Sequence, residues 1–201
     1  AYLRDGGASG DEADVVDRLF VGGVLLPVLG YSPELQVYNR QKGSERPDWQ
    51  VHLEVGAPPY FLVESKSSGE DLRGHEEQLF RYMRRLGVPR GILTNGKEVL
   101  AYELRGDTPL PLLAFSVLDL WEPGLFPENL QSALRTLYYR FHRDHLLSLR
   151  TVIDDLTLTK SGNLHAPDGS TWPAEARIQV VEAKGEGFAQ RFAQDLRDLL
   201  K

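Results

Sequence analysis

The chain has 201 residues, with 29 Asp and Glu against 23 Lys and Arg and a formal net charge of -6; this excludes a binder that works by bulk positive charge and leaves only a local nucleic-acid surface. Zero Cys removes disulfides, thiolate metal sites and Cys nucleophiles together and suits a reducing compartment, so the cytoplasm is the expected address. No apolar run approaches the roughly 18 residues of a membrane helix, and residues 1–10 lack the regions of a signal peptide, so no membrane partner is expected. Residue 1 is Ala, which leaves open both a removed initiator and a longer parent chain.

Ser9-Gly10-Asp11-Glu12 has the capping-box pattern, with Ser9 at Ncap and Glu12 at N3. The helix it opens is predicted to run to about Gly22 or Leu26. Val15, Val16, Leu19, Phe20 and Gly23 form its buried stripe, to which Glu12 belongs, and Asp14, Asp17 and Arg18 lie on the other side. Pro27 and Gly30 stop it. Residues 35–40 alternate as a strand before a turn at 41–44, and residues 48–54, with odd positions apolar and even ones polar, read as a half-buried strand.

Gly56-Ala57-Pro58-Pro59 turns the chain back into Tyr60-Phe61-Leu62-Val63, a short continuous apolar run expected of a central strand covered on both faces; it ends in Glu64-Ser65-Lys66. A second helix is predicted over residues 71–86. Residues 91–94 and 97–102 flank Asn95-Gly96, the strongest short hairpin signal. Residues 1–104 are thus expected to form an α/β unit, a mixed central sheet flanked by helices. Residues 107–127, with Pro109, Pro111, Pro123 and Pro127, read as a linker. A helix over 128–149, a loop over 160–173, a strand at 178–181 and a last helix through Phe188 and Phe192 make 105–201 a largely helical C-terminal extension of unknown role.

Chemistry concentrates around one hairpin. Asp48 begins a strand and Glu64 and Lys66 end the next, so the intervening turn can bring all three to one end of the sheet. Alternation sends Glu64 and Lys66 to one face and Ser65 to the other, leaving the Ser65 carbonyl near the carboxylates. Two carboxylates, a carbonyl and several waters suit a hard cation such as Mg²⁺. Beside Lys66, such a site is able to bind a phosphodiester oxygen and activate water.

Pro47-Asp48 followed, after fifteen intervening residues, by Glu64-Ser65-Lys66 resembles the PD-(D/E)XK nuclease superfamily. Gln78 and Tyr82 match the Gln-x-x-x-Tyr element of restriction nucleases within it. Glu12, Leu29-Gly30-Tyr31 and Gly91-Ile92-Leu93-Thr94-Asn95-Gly96 resemble the N-terminal nuclease domain of type I restriction motor subunits and of related single-chain restriction-modification enzymes. The likeness covers about residues 9–104. It implies a restriction-endonuclease-like core that cleaves double-stranded DNA with Mg²⁺, for which Mn²⁺ substitutes, in a prokaryotic restriction or phage-defence system with further domains or subunits. By resemblance Asp48 and Glu64 are metal ligands and Lys66 orients or activates the water. Glu12 supports the metal site or a second ion, and Gln78 positions the lysine, the water or a DNA phosphate. A repair nuclease of the same fold and a noncatalytic DNA- or protein-binding module are the alternatives.

Each residue also has a plainer reading: Glu12 as a helix cap, Glu64 and Lys66 as a surface ion pair, Gln78 as a solvated side chain and Tyr82 as core. Four apolar residues directly before Glu64 argue against the surface pair. Pro167-Asp168 with Glu182-Ala183-Lys184 repeats the motif, but Pro-Asp-Gly there is a turn signal and Pro173 interrupts the span where a strand should begin, so this copy is taken as a decoy. His142 and His145 lie at i and i+3 without further ligands nearby and are not read as a zinc site. Five Arg between Arg73 and Arg90 form the one dense basic stretch, a candidate for phosphate contacts.

Overall fold

Alternation of apolar and polar residues builds the centre of the fold. A computed structural model of the chain describes residues 13–39, 45–120, 128–147, 157–158, 164–165, 171–172, 188, 191, 192, 194 and 198. The chain is α/β, a mixed six-stranded sheet with helices on both faces. Its strands are β1 (Gln36–Tyr38), β2 (Trp49–His52), β3 (Pro59–Ser65), β4 (Arg90–Thr94), β5 (Glu98–Arg105) and β6 (Thr108–Ser116), hydrogen-bonded in that order. The β3–β4 pair is parallel and the others are antiparallel. A parallel step needs a crossover, and the helix α2 (Glu76–Leu86) supplies it.

The two faces of β3 feed two separate cores. Phe61 and Val63 join the cluster that holds the first helix and α3 (Glu128–Phe141), whereas Leu62 joins Leu72, Leu79, Tyr82 and Met83 beneath α2. Phe61, Leu62 and Val63 are fully buried, each removing roughly 1.5–3 kcal/mol worth of apolar surface from water. Gly91 lets α2 sit this close: a Cβ there would lie 2.8 Å from Met83 Sδ and 2.9 Å from a Leu79 methyl. The Asp71 side chain caps the 3₁₀ turn Leu72–His75 by accepting from the Arg73 N–H at 3.0 Å, so the predicted second helix is a 3₁₀ entry followed by α2.

Several expectations need correction. The stretch read as a linker contains β6, antiparallel to β5, followed by the 3₁₀ turn Val117–Leu120. Pro109 and Pro111 are tolerated because β6 is an edge strand, and a register shift between Ala101 and Tyr102 absorbs the misfit. Helix α3 ends at Phe141, short of the predicted 149, with residues 143–147 helical after a break at His142. Leu130, Leu134, Leu137, Phe188 and Phe192 belong to the same core as Phe61. The predicted loop over 160–173 contains Leu164–His165 and Thr171–Trp172, which with Thr157–Leu158 form a small antiparallel sheet. The strand expected at 178–181 and the second motif at Asp168 and Glu182 lie outside the described residues.

The first helix departs most from expectation. Over Ala13–Leu25 it is a π-helix, closed by the short α1 (Leu26–Val28). Its i→i+5 ladder takes more residues per turn than the about 3.6 of an α-helix, so the buried positions change phase. Val16, Phe20, Val21, Val24 and Leu25 face the core, Leu19 is 56% exposed, and Asp17, assigned to the outer side, is 4% exposed. Among the described residues no helix is long and apolar enough to cross a membrane.

Candidate functional site

The site lies where the parallel strands β3 and β4 end. Trp49 pairs with Val63 in the β2–β3 ladder, so Asp48, one residue earlier, falls at the Glu64 end of β3. There the Ser65 N–H donates to Asp48 Oδ2 at 2.8 Å and the Ser65 hydroxyl lies 3.1 Å from the same oxygen. Lys66 is anchored by its own N–H, which donates to the Thr94 carbonyl at 2.8 Å. Beyond it, Asn95 accepts from the Lys97 and Glu98 N–H groups at 3.0 and 2.9 Å and donates to the Glu70 carbonyl at 2.9 Å. The Thr-Asn-Gly turn thereby holds the loop that leaves the lysine. Gly96, at φ +79, supplies the left-handed residue of that turn.

Alternation acts here as expected. Glu64 and Lys66 project toward α2, where Lys66 Nζ donates to Glu64 Oε1 at 2.7 Å and Gln78 Nε2 donates to the same oxygen at 2.7 Å. Gln78 Nε2 also donates to the Tyr82 hydroxyl at 3.1 Å, one helical turn on, so Gln78 and Tyr82 act as a unit. Ser65 projects to the opposite face, where its hydroxyl donates to Asp17 Oδ1. The structure brings Asp48, Glu64, Ser65, Lys66 and Gln78 together. Glu12 lies outside the described residues.

Glu64 is 2% exposed and Lys66 9%, which removes the surface ion-pair reading. Both side-chain donors to Glu64 use Oε1; Oε2 is buried and has no hydrogen-bond partner among the described residues. Buried polar atoms are normally satisfied, so an open carboxylate oxygen marks a place for a ligand. Burial pushes the Glu64 carboxyl up to about 7; the Asp48 charge adds to the rise, and Lys66 and the Asp48 N–H oppose it. Asp48 is raised by burial and by the nearby Asp17 charge, against the Ser65 N–H. Such a crowd of acids gains from a cation.

The donor set is oxygen only: Glu64 Oε2 and the half-buried Asp48 carboxylate, to which the sequence adds the Ser65 carbonyl as an expected third oxygen. That suits Mg²⁺, which keeps several waters and takes one or two carboxylates. Among the described residues no group of three or more His, Asp or Glu is placed to hold a metal ion. No protein-family model, curated protein or solved structure matches the chain. What its site can do therefore rests on the side chains themselves.

Asp17 was missed from the sequence. It accepts from the Trp49 indole N–H at 2.9 Å and the Tyr38 hydroxyl at 3.2 Å besides Ser65. Burial raises its carboxyl, against those three neutral donors. The overlooked signal is its spacing of four and eight residues from Val21 and Leu25, which puts the three on one face. Arg81, Arg84 and Arg85 are exposed on α2. Arg84 and Arg85 pair with Glu77 and Glu45 at 2.8 and 3.1 Å, and Arg81 and Arg85 stand 5.7 and 5.4 Å from the Tyr82 ring. His142 and His145 rest against the Tyr138 ring at 4.8 and 4.9 Å.

Proposed function

We propose that the chain is an Mg²⁺-dependent endodeoxyribonuclease with a restriction-endonuclease-like core, hydrolysing phosphodiester bonds of double-stranded DNA in the cytoplasm as part of a prokaryotic restriction-modification or phage-defence system. The observation that carries this reading is the open, buried Glu64 Oε2 in a cluster with Asp48 and Lys66. A binding module has no use for a desolvated carboxylate with one oxygen unpaired beside a buried ammonium, because that arrangement opposes folding until a cation or substrate arrives.

Asp48, Glu64 and the Ser65 carbonyl would hold the ion. Bound there, Mg²⁺ would supply Lewis acidity toward a phosphate oxygen and a water of lowered pKa. The protein's own part is positional. Gln78 and Lys66 fix Glu64 through Oε1, which leaves Oε2 directed at the ligand. Lys66 Nζ, held by Glu64, brings a positive charge to the attacking water or to the charge that grows on phosphorus as the P–O bond breaks. The exposed Arg81, Arg84 and Arg85 give α2 its phosphate contacts, since surface ion pairs to Glu exchange readily for a denser anion.

Digestion of supercoiled plasmid tests the reading. Nicked and linear products are expected with Mg²⁺ or Mn²⁺, and none with excess chelator or with Ca²⁺, whose longer, looser coordination holds water and phosphate less rigidly. Equal cleavage in chelator, or none with any of these ions, would remove it.

A further inference from the structure

We infer that Asp17 is a positioning residue for Asp48, acting through the Ser65 hydroxyl. Asp48 Oδ2 accepts from the Ser65 N–H at 2.8 Å, and the Ser65 Oγ lies 3.1 Å from the same oxygen. The backbone places the N–H, but the hydroxyl swings about one bond and carries a single proton. That proton goes to Asp17 Oδ1, so Asp17 grips the Ser65 side chain and, with it, the residue whose N–H Asp48 accepts. Asp17 is in turn fixed to the strands that flank Asp48, by the Trp49 indole on β2 and the Tyr38 hydroxyl on β1.

Trp49 is the chain neighbour of Asp48, so Asp17 holds Asp48 from both sides, once through its neighbouring residue and once through its hydrogen-bond partner. Gly22 makes room for this, since a Cβ there would lie 3.0 Å from the Trp49 ring. Both Asp17 oxygens have donors, whereas Glu64 Oε2 has none among the described residues, which separates an orienting carboxylate from a ligating one. Partners that orient a ligating carboxylate typically change metal affinity or activity by about 10- to 100-fold.

Two readouts on the whole chain test this. The first, the Ser65 amide proton in ¹⁵N-labelled protein, is independent of the nuclease reading; the second, plasmid cleavage with Mg²⁺, rests on it. Asp17→Ala should shift the Ser65 amide upfield, speed its exchange by about tenfold or more and lower cleavage by about 10- to 100-fold. Asp17→Asn keeps an acceptor toward Ser65 and Trp49 and should rescue both readouts to within about threefold, because the role is one of geometry and not of charge. Ser65→Ala removes the hydroxyl by an independent route and should reproduce the loss of cleavage even where Asp17→Ala does not fold. An unchanged Ser65 amide in Asp17→Ala, undiminished cleavage in Ser65→Ala, or Asn failing as badly as Ala would overturn the inference. A wild-type chain that cuts nothing while its Ser65 amide responds as described would sink the nuclease reading and leave the positioning role standing.

Discussion

The two faces of β3 bury a carboxylate each, and the two are built to different ends. On the π-helix side Asp17 meets three neutral donors, Ser65, Trp49 and Tyr38, and both its oxygens are satisfied. On the α2 side Glu64 meets an ammonium and an amide, both on Oε1, and its other oxygen is open. A satisfied buried acid anchors strands; an unsatisfied one beside a cation opposes folding and has to be repaid by a ligand. The difference teaches where chemistry is located when burial alone does not distinguish the two groups.

The sharpest break of that comparison removes charge on the open side. Asp48→Ala and Lys66→Ala should each lower cleavage by about three decades or more, several kcal/mol of barrier. Cleavage at wild-type rate by either purified variant contradicts the account.

The open side should also reveal itself without substrate. In chelator, Glu64 has a folded-state pKa of about 7 against an ordinary 4.5, so the fold favours its protonated form. Its contribution to stability is then fully present below the ordinary value and is lost as pH rises through about 7. Asp17 and Asp48 are raised as well and act in the same direction. Urea unfolding from pH 5 to 8 should show stability falling with pH in chelator, a shallower fall in Glu64→Gln, and recovery at high pH on adding Mg²⁺. Stability rising with pH over this window would mean that Glu64 is not desolvated.

Smaller effects belong to the groups around the pair. Gln78→Ala frees Glu64 Oε1 from one of its two donors and should lower cleavage by about 10- to 100-fold, with Tyr82→Phe, which leaves Gln78 its bond to Glu64, within a few-fold of wild type. Combined Arg81→Ala, Arg84→Ala and Arg85→Ala should weaken DNA binding uniformly across sequences and flatten its salt dependence, with the rate at saturating DNA little changed. A gel-shift series in salt reads this. Sequence-selective weakening would show that α2 reads bases.

Much of the α2 side was legible beforehand because strands keep their period. The alternation of 48–54, the apolar run ending in Glu64 and the Asn95-Gly96 turn place Asp48, Glu64, Lys66 and Gln78 with no knowledge of packing. The π-helix side was not legible: reading 13–25 at α-helical spacing sends Asp17 to solvent and Leu19 inward, and the wider helix reverses both. Pro109 and Pro111 concealed β6 in the same way, since Pro argues against a strand except at an edge, and edge position is a property of the whole sheet.

The most direct test of the central claim, that Glu64 Oε2 holds a cation for phosphodiester hydrolysis, is plasmid cleavage by wild type and Glu64→Gln side by side at the same Mg²⁺ concentration. Gln at this position keeps an oxygen acceptor for Lys66 and Gln78 and changes the charge and the ligand, not the shape. The account predicts cutting by wild type and about a thousandfold less or none by Glu64→Gln. Equal cutting by the two proteins would contradict it.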